Sequence, residues 1–181
     1  MHQIRFHGRG GQGVVTAAEL TAIAAFNEGH YSQAFPSFGV ERTGAPIEAF
    51  ARIDDSPIRT REHIYEPDIL IIQDSSLIGT VDATKGSDKE TLLILNSTKK
   101  KEEIDLPIPK ENLFVLNATE IAMEEIGRNI VNTVILGAFA KATGLITLKS
   151  LEKAIKQKFG TKSQSLVEKN INAITRAYNM N

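Results

Sequence analysis

The pattern richest in chemistry is a six-residue stretch near the N-terminus: Gly8, Arg9, Gly10, Gly11, Gln12 and Gly13. Gly8, Gly10 and Gly13 satisfy the spacing G-x-G-x-x-G, in which glycines allow a tight turn, a close ligand approach and close packing of a helix on a strand. Amide groups converging at the start of a helix, with an arginine beside them, suit an anion such as a diphosphate. The same glycines have a purely structural reading, in which they only let the helix pack against the sheet. A second candidate is the stretch from Pro36 to Pro46, where two prolines and two glycines shape a loop around Glu41 and Arg42. Charged residues in a shaped loop are candidates for binding, and the plainer alternative is a solvated turn with a local Glu41–Arg42 pair.

These residues need elements to hold them. Ile4-Arg5-Phe6 alternates as a strand does, and from Val14 a helical period runs through Leu20, Ile23 and Phe26 to a stop at Asn27-Glu28-Gly29. This strand, turn and helix make a Rossmann-like start. A dinucleotide site of that type also needs an acid at the end of the second strand to hold the ribose. The second strand is predicted near Tyr31 to Phe35, and no acid ends it, since Glu28 lies in the helix end and Glu41 lies beyond the turn. A simple NAD reading is therefore disfavoured, while the anion-binding turn is retained.

Ile47 to Ile53 is predicted to be a strand ended by the turn Asp54-Asp55-Ser56-Pro57. Three short apolar runs, Ile69–Ile72, Leu92–Leu95 and Leu113–Leu116, read as strands buried on both faces. The first of them ends in Gln73-Asp74-Ser75-Ser76, polar residues where open α/β sheets place ligands, although Asp74 or Ser75 reads better as a helix cap. Helices are predicted at Glu120–Ile126, Asn132–Ala142, Leu148–Phe159 and Ser165–Tyr178. The fold class is α/β: a single domain over residues 1–181, three layers (α/β/α), a mostly parallel sheet and a helical C-terminal third.

Composition narrows the function. Basic and acidic residues number 21 and 22, aromatic residues are 6% and Trp is absent, so neither a polyanion-binding surface nor a base-stacking platform is indicated. The chain has no cysteine, which excludes thiolate-ligated clusters, a catalytic thiol and disulfides in this chain. His2, His7, His30 and His63 show no metal-ligand spacing, and Lys99 to Glu103 is a solvated charge run. The N-terminus lacks a secretory pattern, and the apolar run Val134–Ala140 is far shorter than the ~20 residues a bilayer needs, so a cytoplasmic protein is expected. No nucleophile elbow or Walker lysine is present, and no catalytic residue is assigned.

Longer stretches are recognisable. Arg5 to Gly13, Ala34 to Pro46, Arg52 to Ile58, Ile64 to Asp68 and Asn132 to Gly144 resemble the gamma subunit of pyruvate:ferredoxin oxidoreductases. Many relatives carry Arg-Gly or Gly-Gly where Thr43-Gly44 stands. The resemblance implies a cytoplasmic complex of alpha, beta, gamma and delta chains. Such a complex oxidatively decarboxylates a 2-oxoacid, most often pyruvate, with coenzyme A, and passes electrons to ferredoxin. It also implies that thiamine diphosphate and the iron-sulfur clusters lie on the partner subunits, with no cofactor bound by this chain alone. A contact with coenzyme A is expected at Gly8, Arg9, Gly10, Gly11, Gln12, Gly13, Glu41 and Arg42. Two alternatives stay open: the turn only packs against the alpha chain, or the protein is a free-standing nucleotide-binding module of Rossmann type. Neither nucleic acid nor membrane is an expected partner.

Overall fold

The computed structural model describes residues 1–37, 42–161 and 163–180. Its centre is a six-stranded sheet built from β1 (His2–Arg9), β2 (Tyr31–Pro36), β3 (Pro46–Asp54), β4 (Ile69–Ile72), β5 (Leu92–Asn96) and β6 (Leu113–Leu116). The spatial order is β2-β3-β1-β4-β5-β6. β1, β4, β5 and β6 run parallel, while β3 pairs antiparallel with both β1 and β2. The sheet is thus mostly parallel, as expected.

Among the described residues, five helices cover one face: α1 (Val14–Asn27), α2 (Ala118–Ile121) continuing as a π-helical turn to Ile126, α3 (Val131–Thr143), α4 (Leu148–Phe159) and α5 (Gln164–Tyr178). Strand periodicity decides which side chains meet them. Ile4 and Phe6 of β1, Ala49, Ala51 and Ile53 of β3, and Ile69 and Ile71 of β4 pack with the buried stripes of the helices. α3 is buried on every residue from Val131 to Ala140, and from Val134 to Ala140 its sequence is accordingly apolar all round.

The structure departs from expectation in two places. The layer over the opposite face contains no α-helix among the described residues. It consists of 3-10 turns at Ser75–Leu77, Lys101–Glu103 and Lys110–Asn112 and of irregular segments, with Ala83, Ile104 and Ile108 packing on Leu70, Ile72, Leu93, Leu95 and Leu113. The second departure lies in the Rossmann-like start. The strand, glycine turn and helix are present, but β2 does not lie beside β1, because β3 is inserted between them. The end of β2 therefore sits two strand spacings, roughly 10 Å, from β1. An acid at the end of β2 would be displaced from the place a dinucleotide ribose requires, so its absence fits the topology.

Candidate functional site

The turn between β1 and α1 lies at the carboxyl end of the parallel strands, beside the junction of β1 and β4. From that junction the chain moves outward in opposite directions, toward β3 and β2 on one side and β5 and β6 on the other. Such switch points are where open α/β sheets form ligand crevices. Gly13 takes φ 73°, a left-handed conformation that frees α1 to start with no side-chain cap and no acid in its first turn. Gly10 is required by proximity, since a Cβ there would overlap the carbonyl oxygen of Arg42. Reciprocal backbone bonds, Gly10 N–H to Ala45 (2.8 Å) and Gly44 N–H to Gly10 (3.0 Å), clasp the two turns together.

Arg9 is placed differently from a free anion ligand. Its Nη1 donates to the Gly44 carbonyl at 3.0 Å, its Nη2 to Ser76 Oγ at 2.9 Å, and its Nε lies 3.3 Å from Asp74 Oδ2. Gln12 completes this network, accepting the Arg9 N–H at 2.7 Å and donating to Asp74 Oδ2 at 2.8 Å. Burial alone pushes the Asp74 carboxyl upward, but hydrogen bonds from Ser76 and Gln12 and the charge of Arg9 outweigh it and hold the group below the usual carboxylate range. Asp74 also caps the 3-10 turn through Ser76 N–H (3.0 Å), so its reading as a cap holds.

The amides divide into two sets. Those of Arg9, Gly10 and Gln12 are bonded within the chain, whereas those of Gly11 and Gly13 have no acceptor among the described residues. Together with the open first turn of α1 they border a cleft of about 390 Å³ lined by Gly10, Gly11, Gly13, Val14 and the exposed Arg42. Gly8 lies inside β1, opposite Ile47 of β3. Glu41 lies outside the described residues. The structure thus brings Gly10, Gly11, Gly13 and Arg42 to one cleft and assigns Arg9 and Gln12 to the wall behind it.

Sequence reasoning missed the polar wiring beneath the turn. Arg5 is buried, and its guanidinium donates to the carbonyls of Ile64 (3.3 Å), Tyr65 (3.1 Å), Ala83 (3.1 Å) and Lys85 (2.6 Å) and to His7 Nε2 (3.0 Å). Because Nε2 accepts, the His7 proton sits on Nδ1, 3.6 Å from Glu48. Burial and then the charge of Arg5 push His7 down to about 3, so it is neutral at physiological pH. No grouping of three or more His, Cys, Asp or Glu able to hold a metal occurs among the described residues. Among those residues, too, no helix is long and apolar enough to cross a membrane.

Comparison with known proteins decides the family. The family described as "Pyruvate ferredoxin/flavodoxin oxidoreductase" matches residues 3–180. The chain belongs to this family. Within it, the chain is 54% identical over 181 residues to the "Pyruvate/ketoisovalerate oxidoreductases common subunit gamma" of Thermococcus kodakarensis, covering 99% of this chain and 96% of that one. It is 50% identical to "Pyruvate synthase subunit PorC" of Methanothermobacter thermautotrophicus over 98% of this chain and 94% of the relative. The crystal structure of the pyruvate oxidoreductase subunit PORC from Thermotoga maritima superposes with a TM-score of 0.81 at 36% identity, covering 98% and 94% of the two chains. The oxidoreductase family is thus matched in both sequence and fold, by chains of almost the same extent.

Proposed function

We propose that the protein is the gamma subunit of a cytoplasmic 2-oxoacid:ferredoxin oxidoreductase, converting pyruvate, coenzyme A and oxidised ferredoxin to acetyl-CoA, carbon dioxide and reduced ferredoxin. The observation that carries this reading is the end-to-end match, at 54% identity, to a chain named as the gamma subunit of such enzymes. In this reading the alpha, beta and delta subunits hold thiamine diphosphate and the iron-sulfur clusters, since a chain without cysteine has no thiolates for a cluster. Anaerobic capture of the native protein through this chain tests it. A brown complex several times larger than 19.8 kDa that reduces ferredoxin with pyruvate is the expected product. A colourless homo-oligomer overturns the reading.

The chain's own contribution in this proposal is to hold the diphosphate of coenzyme A in the cleft between the glycine turn and Arg42. The free amides of Gly11 and Gly13 and the Arg42 guanidinium face the anion, while Gly8, Gly10, Gln12 and Arg9 fix the shape of the turn. Arg42→Ala in the assembled enzyme is expected to raise the KM for coenzyme A about tenfold, the loss of one charge-assisted contact, with the KM for pyruvate unchanged. An unchanged coenzyme A KM rules the contact out.

One observation favours a second role for the same residues. Arg9 and three of the turn's amides are already bonded within the chain, as suits a rigid surface packed against the alpha subunit. On that reading Arg42→Ala weakens co-purification of the alpha subunit and leaves the KM for coenzyme A alone. A free-standing nucleotide module has less support, given the strand inserted between β1 and β2.

A further inference from the structure

A second crevice lies at the carboxyl ends of β4, β5 and β6, separate from the Arg42 cleft. Its volume is about 170 Å³, and Gln73, Asn96, Ser97, Thr119, Asn129 and Val131 are among the residues lining it. Gln73 is 1% exposed, and neither its Oε1 nor its Nε2 has a partner. A buried carboxamide with both ends unpaired is costly and uncommon. Asn96 beside it is fully used, donating to the Gln73 carbonyl (2.9 Å) and to Thr119 Oγ1 (3.0 Å) and accepting from Thr119 N–H (3.3 Å).

What remains free in the crevice is mostly donors. Ser97 Oγ accepts from Lys99 N–H and Thr119 Oγ1 accepts from Asn96, which leaves both hydroxyl protons available. Val131 begins the 13-residue helix α3, which has no acid in its first turn; the Thr133 N–H donates to Asn132 Oδ1 (2.9 Å), while the amides of Val131 and Asn132 have no acceptor among the described residues, and Val131 lines the crevice. The one carboxylate in the lining, Asp74, is already engaged by Gln12, Ser76 and Arg9. The volume is below the ~300 Å³ at which pockets for whole small molecules begin, so a single functional group fits.

We propose that this crevice seats one phosphate-class oxyanion, held by the Gln73 amide, the Ser97 and Thr119 hydroxyls and the first two amides of α3, those of Val131 and Asn132. The site shares none of these residues with the Arg42 cleft and does not rest on the coenzyme A proposal. Its occupant is either free phosphate or the terminal phosphate of a monoester.

The test is titration of the 15N-labelled full chain, carrying Arg42→Ala to silence the other cleft, with inorganic phosphate against chloride at equal ionic strength. Saturable shifts of the Gln73 side-chain amide and of the backbone amides of Val131 and Asn132 are expected. Binding should be about tenfold weaker in Gln73→Leu and in Ser97→Ala, the latter serving alone if the former does not fold. Shifts that fail to saturate, that centre on residues 11–15, or that survive both substitutions overturn the proposal. In a parallel titration, AMP binding more tightly than phosphate identifies an ester as the occupant, and AMP binding no more tightly identifies the free ion.

Discussion

The two halves of the sheet solve the same burial problem in opposite ways. In the parallel half, β4, β5 and β6 are roofed by apolar contacts from Ala83, Ile104 and Ile108, and polar side chains gather at the strand ends around the crevice. In the antiparallel half, polar groups lie inside. Arg5 and His7 of β1 and Arg52 of β3 point away from the helices and are buried, with Arg52 stacked 5.3 Å from the Phe35 ring centroid and Phe50 between Phe35 and His63. The loop of residues 58–66 is held over them by guanidinium-to-carbonyl bonds, from Arg5 to Ile64 and Tyr65 and from Arg52 to Glu62. The difference teaches that a sheet face roofed by irregular chain needs either apolar side chains or cations with many donors. A guanidinium does the second job because each of its N–H groups can satisfy a carbonyl that no helix or strand would satisfy.

The strongest way to break this contrast is Arg5→Met. It fills much of the volume but strands two buried carbonyls, of Ile64 and Ala83, and two part-buried ones, of Tyr65 and Lys85, and urea unfolding is expected to show a loss of about 3 kcal/mol. A conservative change in the apolar half, Ile104→Val, should cost only about 1 kcal/mol in the same assay. Acid sharpens the contrast next. His7 has a folded pKa of about 3 against an ordinary 6.5, so the unfolded chain binds the extra proton between those values. Its contribution is complete above pH 6.5 and is lost as pH falls, at about 1.4 kcal/mol per pH unit. Between pH 6.5 and 5 this slope is expected in the wild type and should be absent in His7→Gln; lower down, Asp54 and Asp74, both held below the usual carboxylate range, add losses of their own. The smallest effect belongs to the surface: Arg176, paired with Glu124 and Glu125, is exposed, and Arg176→Ala should leave the unfolding midpoint unchanged within error.

Much of the fold is legible locally. Ile69–Ile72 and Leu92–Leu95 are apolar without interruption because both faces are covered, and Gly29 and Gly144 end helices where the pattern places them. Strand order is not local. Nothing between Tyr31 and Ile53 says that β3 rather than β2 pairs with β1, since that choice rests on contacts across the sheet. Arg5 shows the limit most clearly: Ile4-Arg5-Phe6 reads as a strand with one wet face, yet Arg5 is covered by chain from residues 64–65 and 83–85. The glycine turn was legible as an anion site from its spacing, but the engagement of Arg9 with Gly44, Ser76 and Asp74 was not, because those partners lie 35 and more residues away. Gln73 gave a signal, a polar residue following a fully apolar strand, which marked the strand end without revealing an unpaired carboxamide.

The reach of Arg5 also has a kinetic consequence. Its carbonyl partners lie between 59 and 80 residues further along the chain. Such contacts close loops as long as the one that joins β1 to β4, where Ile4 pairs with Ile69, so the guanidinium meets its acceptors as that pairing forms. The arginine thus ties two distant loops to one strand, and whether Arg5→Met slows folding or speeds unfolding shows on which side of the barrier its bonds form.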